Sequence, residues 1–581
     1  MANKSDVFQR LIGLETEYAL HVPARPDGKL DNRYEFYLVV ANALRRLVPT
    51  VAARHMKEGV FHAGGGAVWF ETERPADGGG LLEGATPECR SPRQLLAHQR
   101  AQDAFLSEAV KQSLGNKQIC LLKNDRDARG NVYGSQENYE AVLATGWQLG
   151  VWRILLVAML PIVILSWALL WLLAASVVLY TLIASVVYLT WERLRGPAPR
   201  LARGLFGCSF EDLGHAAPTG PRWLEGVLSL VTRVLTAPLA IALYGAVRWL
   251  AFSKIRREML PFLLSRPLIA GSGMLDDQGR FHLADKAPAM NCLVGFGGLI
   301  SDRPIFSFGH FFKTIYADAW LNPREYCRLF SPRQRLQIAL GDSNLAELSE
   351  YLRVGTTLLV LDCIEAGEMP KPPRIRRPLA ALRAFCADPT LAAAVPLPGG
   401  ERCTALALQR FYLDGCRRFL ARRPEAPAEA REILRRWEEA LDLLTEDPQA
   451  LVGSLDWVTK QWLLEKTGRN TSRAARKKID LKYHELSPDG YFERLRTTGL
   501  VVSVLSPDEI SHARRNPPLG TPATVRGRYI REFAGGEEPV AANWQAVYIG
   551  QGRRTKVIRL ADYSLTVSEE PPAKDQRVEQ F

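Results

Sequence analysis

Four glutamates, set two by two, are the first sign of chemistry in this chain. Glu15 and Glu17 lie in Gly13-Leu14-Glu15-Thr16-Glu17-Tyr18, and Glu71 and Glu73 end Gly66-Ala67-Val68-Trp69-Phe70-Glu71-Thr72-Glu73. In an extended strand, residues two apart share a face, so each pair presents two carboxylates side by side. Glu83 and Glu88 follow in the next loop. Such hard oxygen donors suit Mg²⁺, an ion that also bridges nucleotide phosphates. A carboxylate beside it can serve as a base toward an amine or a water. Glutamate pairs are equally what a solvated strand face looks like, because glutamate is mostly exposed. Spacing alone leaves both readings open.

The elements that must position these groups follow from periodicity. Residues 7–20 and 66–73 read as strands, with Gly64-Gly65-Gly66 opening the second. Residues 32–48 read as an amphipathic helix, and 91–114 as a helix with Ser91 as its cap. Farther on, RLQIALGDSN (335–344) predicts a strand ending in a turn, followed by a helix to about Gly367. Helical periodicity continues through 370–470. From about Leu500 a small β-rich tail is expected, with strands at 501–505, 545–551 and 555–560.

Between these parts lies a stretch of another kind. No charged residue occurs in the 38 positions from Ile154 to Trp191. As one helix they would measure about 57 Å, against a bilayer core of about 30 Å. Two helices of about 18 residues would each just span it, so a transmembrane hairpin over 154–191 is expected. Leu224–Phe252 is less apolar, since it holds Glu225, Arg233 and Arg248, and suits a helix lying in the interface. The loop 192–223 carries Arg193, Arg195, Arg200, Arg203 and Arg222 and reads as cytoplasmic. One crossing in each segment would put it outside.

Bulk properties narrow the classes further. The chain has 581 residues, enough for two to four domains, and a formal charge of +12. No basic run is interleaved with aromatics as in a nucleic-acid platform, so nucleic acid is not an expected partner. An anionic membrane or an acidic protein remains. The nine cysteines form no C-x-x-C pair, which argues against a zinc site or disulfide framework.

Taken together, several motifs resemble the Pup ligase and Pup deamidase/depupylase family, of the glutamine-synthetase-like superfamily. The Gly13–Tyr18 segment resembles its G-x-E-x-E-[YF] opening, and Glu83-Gly84-Ala85-Thr86-Pro87-Glu88 its acidic loop. Lys123-Asn124-Asp125 through Glu137-Asn138-Tyr139 follows in family order. Then come Ser265-Arg266, Gly341-Asp342-Ser343-Asn344, Leu455-Asp456-Trp457, Ile479-Asp480-Leu481 and Arg526-Gly527-Arg528. The resemblance covers nearly the whole chain except about 146–257. It implies an α+β fold, with an antiparallel sheet backed by helices and a small C-terminal β-rich domain. The domains expected are 1–147 and 258–499 for the catalytic core, 148–257 for the insertion, and 500–581 for the C-terminal unit.

The resemblance also implies chemistry. Pup is a small acidic modifier whose C-terminal glutamate is joined to substrate lysines. The ligase branch makes that bond through a glutamyl phosphate, and the deamidase branch converts a C-terminal glutamine to glutamate and cleaves the bond. By position, Glu15, Glu17 and Glu83 would be Mg²⁺ ligands. Glu71 would stand at the essential acid, an aspartate in the family, and Lys123, Asn124 and Arg266 would contact ATP or substrate. The expected setting is a catalytic domain in the cytoplasm, tethered to the membrane. Departures argue for a third possibility, a non-catalytic Pup binder: Leu81-Leu82 replaces His-Pro, Ser307-Phe308-Gly309-His310 replaces N-T-R-D, and Asp285-Lys286-Ala287-Pro288 replaces Q-R-x-D. Only 55 residues separate Glu15 from Glu71, as in the ligase branch. The tail, Asn516-Pro517-Pro518 and Ala541–Ile549, matches the deamidase at greater length and favours that side.

Overall fold

Alternation along one strand sets the architecture. In β1 (Ile12–His21), Ile12, Leu14, Thr16, Tyr18 and Leu20 are buried, while Gly13, Glu15, Glu17 and Ala19 between them are half-buried. The strand therefore has an apolar back and an acidic front. The back packs against α1 (Arg33–Leu47) and α2 (Pro92–Leu114), where Tyr18 and Leu20 meet Phe36, Tyr37, Phe105 and Leu106. Ser91 caps α2, accepting from the Gln94 N–H at 3.1 Å. The computed structural model describes residues 7–22, 33–54, 57–71, 80–114, 119–126, 131–207, 221–296, 302–468, 471–560 and 578–580. Glu73 lies outside them.

Next in the chain come β2 (Thr50–Ala53), β3 (Gly59–His62), β4 (Ala67–Glu71), β5 (Leu81–Ala85), β6 (Cys120–Leu122) and β7 (Gln136–Val142). Later strands are β8 (Met274–Leu275), β9 (Phe281–His282), β10 (Cys292–Gly295), β11 (Pro304–Ser307), β12 (Arg333–Ile338), β13 (Ala394–Pro396) and β14 (Arg402–Thr404). The last are β15 (Val540–Ala542), β16 (Ala546–Ile549), β17 (Lys556–Arg559) and β18 (Val578–Gln580). Among the described residues, fourteen of these form one sheet in the order β10-β11-β12-β7-β1-β5-β4-β3-β2-β15-β16-β17-β18, with β6 also pairing β1. The pairings are antiparallel except β10–β11 and β15–β2. The fold is thus α+β with a curled sheet backed by helices, as expected, although the sheet is mixed rather than wholly antiparallel. The helix Glu347–Glu365 is buried along nearly its whole length behind the sheet. Asp362 on it ties down the N-terminal strand through Arg10 at 2.5 Å.

Two expectations are corrected. Residues 154–191 do not form a hairpin. They belong to one continuous helix, α3 (Gly146–Arg195), of 50 residues. The stretch contains no Gly, Asn or Asp to reverse the chain, and its one proline, Pro161, is accommodated inside the helix. The hairpin is instead made by α3 and α5 (Arg222–Trp249), with α4 (Pro199–Phe206) following the turn. Its ends meet at the sheet, where the Phe252 N–H donates to Leu143 O at 2.6 Å. Tyr180 meets Trp223 with ring centroids 5.8 Å apart, so the arginine-bearing connection lies at the end farthest from the sheet. The base of α3 is held by residues 311–329. The Trp152 and Trp167 indoles donate to Leu329 O (2.9 Å) and Ile315 O (3.0 Å), and the Tyr326 hydroxyl donates to Leu156 O (2.8 Å).

The second correction concerns the tail. Residues 501–505 form no strand, and the helices Pro507–Arg515 and Pro522–Phe533 follow. Strands β15–β17 then extend the main sheet through β2, with Ala541 opposite Ala52. Three strands of three or four residues are too short to stand as a unit. A free sheet edge supplies the partner they need. Arg526, fully buried, fixes this junction by donating to Gly65 O at 2.9 Å and Glu88 Oε1 at 3.1 Å.

Candidate functional site

Register brings the sequence-predicted carboxylates onto one face. Glu17 stands opposite Glu83, Glu15 opposite Ala85, Glu83 opposite Trp69, and Glu71 opposite Leu81. Directly opposed residues point the same way, so Glu15, Glu17, Glu83 and Glu71 share the front of β1, β5 and β4. Its two flanks are covered differently. On one side, Phe61, Trp69 and Trp544 form an aromatic cluster with the C-terminal strands. On the other, β12 turns Gln337 and Arg335 toward Glu15, at 3.4 Å and 3.5 Å from its carboxylate oxygens.

Each carboxylate has its own surroundings. The Glu17 carboxylate accepts from the Gly134 N–H at 2.7 Å. Its pKa is pushed up to about 7 by burial, against the pull of Lys286 and of that N–H, while Glu71 adds repulsion. Glu83 is buried and is pushed up to about 8, again by burial, with Lys57 opposing and Glu15, Glu71 and Glu17 adding to the rise. Glu71 is the open member, its side chain 39% exposed. Lys57 Nζ touches Glu71 and lies 2.7 Å from Glu83 Oε2.

Among the described residues, no three acidic, histidine or cysteine side chains converge into a ready-made metal cage. The donor chemistry nevertheless suits Mg²⁺, which commonly binds through one or two carboxylates plus phosphates and water. Glu17 and Glu83 both hold protons more tightly than an exposed glutamate, and a divalent cation would supply the missing countercharge.

The other predicted residues are held by partners of their own. Lys123 is buried and donates to Gln99 Oε1 and Asp103 Oδ2, both at 2.8 Å, in the network that holds Tyr18 behind the sheet. Asn124 is buried, accepting from the Tyr133 hydroxyl at 2.9 Å. Arg266 forms a buried fork with Glu137, at 2.8 Å and 2.7 Å, and donates to Thr357 Oγ1 at 2.7 Å. None of the three is joined to the acidic front by these contacts. Several motif aspartates serve as backbone clamps. Asp342 accepts from the N–H groups of Ser272, Asp285 and Lys286, and Asp456 from those of Leu345 and Ala346.

Sequence reasoning missed Lys57, Lys286, Arg335 and Gln337. The last two sit two apart on a strand, so alternation could have found them. Lys286 was visible only as a departure from the family pattern, yet it is the largest electrostatic pull on Glu17. Lys57 carried no motif signal.

A sheet with this acidic front, built from these motifs, belongs to a recognisable class. The chain belongs to the Pup-ligase protein family, matching it over residues 10–548. It is 34% identical to a depupylase of Acidothermus cellulolyticus and 33% identical to a Pup deamidase/depupylase of Mycolicibacterium smegmatis. Those alignments cover 51% and 53% of this chain and span 58% and 60% of those relatives. A Pup–protein ligase of Corynebacterium jeikeium is 26% identical over 94% of both chains. Among solved structures, the complex of Pup with its ligase PafA matches with a TM-score of 0.62 at 20% identity, covering 95% of this chain and 89% of that one. PafA in complex with ADP matches with a TM-score of 0.56 at 19% identity, covering 93% and 90%.

Proposed function

We propose that this protein is a membrane-tethered, ATP- and Mg²⁺-dependent enzyme of the Pup system. It acts on the C-terminal Glu or Gln of Pup or on the isopeptide bond Pup makes, with deamidation and depupylation the favoured reactions. The observation that carries this is the set Glu15, Glu17, Glu71 and Glu83 on one sheet face in a chain of this family. Over stretches of similar length, identity leans to hydrolysis, at 34% and 33% to the depupylases against 29% to a Pup–protein ligase of Acidimicrobium ferrooxidans. Ligation is the second reading, favoured by an alignment that runs through 94% of the C. jeikeium ligase. The PafA complexes with ADP and with Pup support nucleotide and Pup as ligands here.

A bound Mg²⁺–nucleotide would supply positive charge beside the carbonyl and phosphate oxygens. Glu15, Glu17 and Glu83 would hold the metal through carboxylate oxygens. Glu71, the most exposed of the four, takes the proton from a water that attacks the side-chain carboxamide carbon of the C-terminal glutamine, and returns it to the leaving nitrogen. The C–N bond breaks, ammonia leaves and a carboxylate remains. In depupylation the same attack frees the substrate lysine amine. In ligation Glu71 would instead take a proton from the attacking lysine ammonium. The net charge of +12 suits an acidic partner.

The tether is α3 with α5. Both are long and apolar enough to cross a membrane, and only 11% and 17% of their most apolar stretches are buried. Leu172, Leu182, Ile183 and Val186 are more than half exposed, a poor arrangement in water. Both ends return to the sheet, which keeps the catalytic domain on one side, proposed to be the cytoplasm. Arg193, Arg195, Arg200 and Arg203 then mark the far end of the tether, on the side opposite the catalytic domain, which reverses the cytoplasmic placement expected for loop 192–223 from its arginines.

Purified protein incubated with ATP, Mg²⁺, a Pup conjugate and free Pup in its Gln and Glu forms tests the assignment. Ammonia release or conjugate loss supports hydrolysis, and new conjugates support ligation. Binding of Pup without turnover would refute both and leave a non-catalytic binder.

A further inference from the structure

Lys57 enters the acidic front from the turn between β2 and β3. It is the side chain that bridges two of the four carboxylates, touching Glu71 and standing 2.7 Å from Glu83 Oε2. Glu83 is 6% exposed. A buried carboxylate without a countercharge is costly, and Lys57 offsets that cost in the apo protein. One of the two carboxylates it uses, that of Glu83, is one the proposed metal would need, and the other, that of Glu71, is the proposed proton acceptor. A lysine ammonium is a compact point charge on a flexible four-carbon stem, and this one is 29% exposed, so it has a path out to solvent. Arg10, Arg266 and Arg353 differ in this respect, because their partners hold them in the core.

We infer that Lys57 is a resident competitor cation, which occupies the carboxylates of Glu71 and Glu83 until a divalent metal displaces it. This rests on the proposed assignment of Glu83 as a metal ligand. Two consequences follow. Metal affinity is set partly by Lys57, because the ion must win Glu83 from a bound ammonium. Release of Lys57 also frees Glu71, so the proton acceptor becomes available only once metal is loaded. An enzyme built this way keeps its base engaged when no metal–nucleotide is present.

The test is binding of Mn²⁺ alone, read from the free-ion electron paramagnetic resonance signal, to the full-length protein in detergent. Wild type is compared with Lys57→Gln, Lys57→Met, Lys57→Arg and Glu83→Gln. Removing one positive charge a few ångströms from a divalent ion should tighten Mn²⁺ binding about tenfold or more in Lys57→Gln and Lys57→Met. Lys57→Arg, which keeps the charge, should stay near wild type. Glu83→Gln should lose binding. If the Gln and Met variants bind no more tightly than wild type while Glu83→Gln has lost binding, the role given to Lys57 is overturned and the metal site stands. If Glu83→Gln binds Mn²⁺ as wild type does, the metal site itself fails, and the competitor with it.

Discussion

Glutamine at position 83 should make the protein less sensitive to alkali. Glu83 is raised from 4.5 to about 8 and its neighbour Glu17 from 4.5 to about 7, both chiefly by burial. The folded state therefore holds these protons more tightly than the unfolded chain. The stability this contributes is complete below the unfolded value near 4.5 and is lost as pH rises through the folded values. A tenfold difference in proton affinity is worth about 1.4 kcal/mol. From about pH 5 to about pH 8, in chelator, wild type should lose about 3–4 kcal/mol at Glu83 that Glu83→Gln does not. Because Glu17 shares the cluster, the whole loss belongs to the pair, and the double variant with Glu17→Gln should flatten the profile further. Lys57 loses a partner in Glu83→Gln, but it stays charged across this range, so it shifts the curve without tilting it. Urea denaturation of both proteins in the same detergent at several pH values gives the difference directly. A gap between them that stays constant with pH would refute the burial argument.

Other outcomes follow from the same geometry. Glu71→Gln should lower ammonia release or conjugate cleavage by about a hundredfold or more while leaving the melting curve nearly unchanged, since that side chain is 39% exposed. Arg266→Ala should cost about 3–5 kcal/mol, the penalty for stranding a buried charge, yet leave the nucleotide Kd of the folded fraction as it was. A loss of nucleotide binding out of proportion to unfolding would return Arg266 to the site. Full-length protein should stay in the membrane pellet after alkaline carbonate extraction, and paired Leu182→Arg and Val186→Arg substitutions should move it toward the supernatant.

The acidic front was legible because strands impose a period of two that a reader can count. Glu15 with Glu17 needed only that period, and the antiparallel pairing of β1 with β5 brought Glu83 across. Lys123 and Arg266 have partners that the sequence could not show, for a physical reason. A buried ion pair and a ligand contact draw on the same charged residue types, and only packing separates them. Glu137, on the core side of β7, claims Arg266, and Asp103 on α2 claims Lys123. The helix hairpin was legible as apolar length but not as shape. Charge-free sequence fixes how much helix there is, whereas the point of reversal depends on turn residues, which first occur beyond Arg195. The C-terminal strands were found individually, but their joining to β2 was not, because nothing in a strand's sequence names a partner hundreds of residues away.

The pairing of β7 with β12, from Glu137 opposite Ile338 to Val142 opposite Arg333, has a consequence for biosynthesis. The ribosome makes β7 first, then the whole greasy detour, and only afterwards the strand that closes β7's open edge. Throughout that interval the nascent sheet exposes unpaired amides, and, under the membrane tether proposed above, chains whose helices fail to reach lipid would linger there. Production of this protein should therefore be limited by membrane insertion capacity, and overexpressed material should aggregate through that edge.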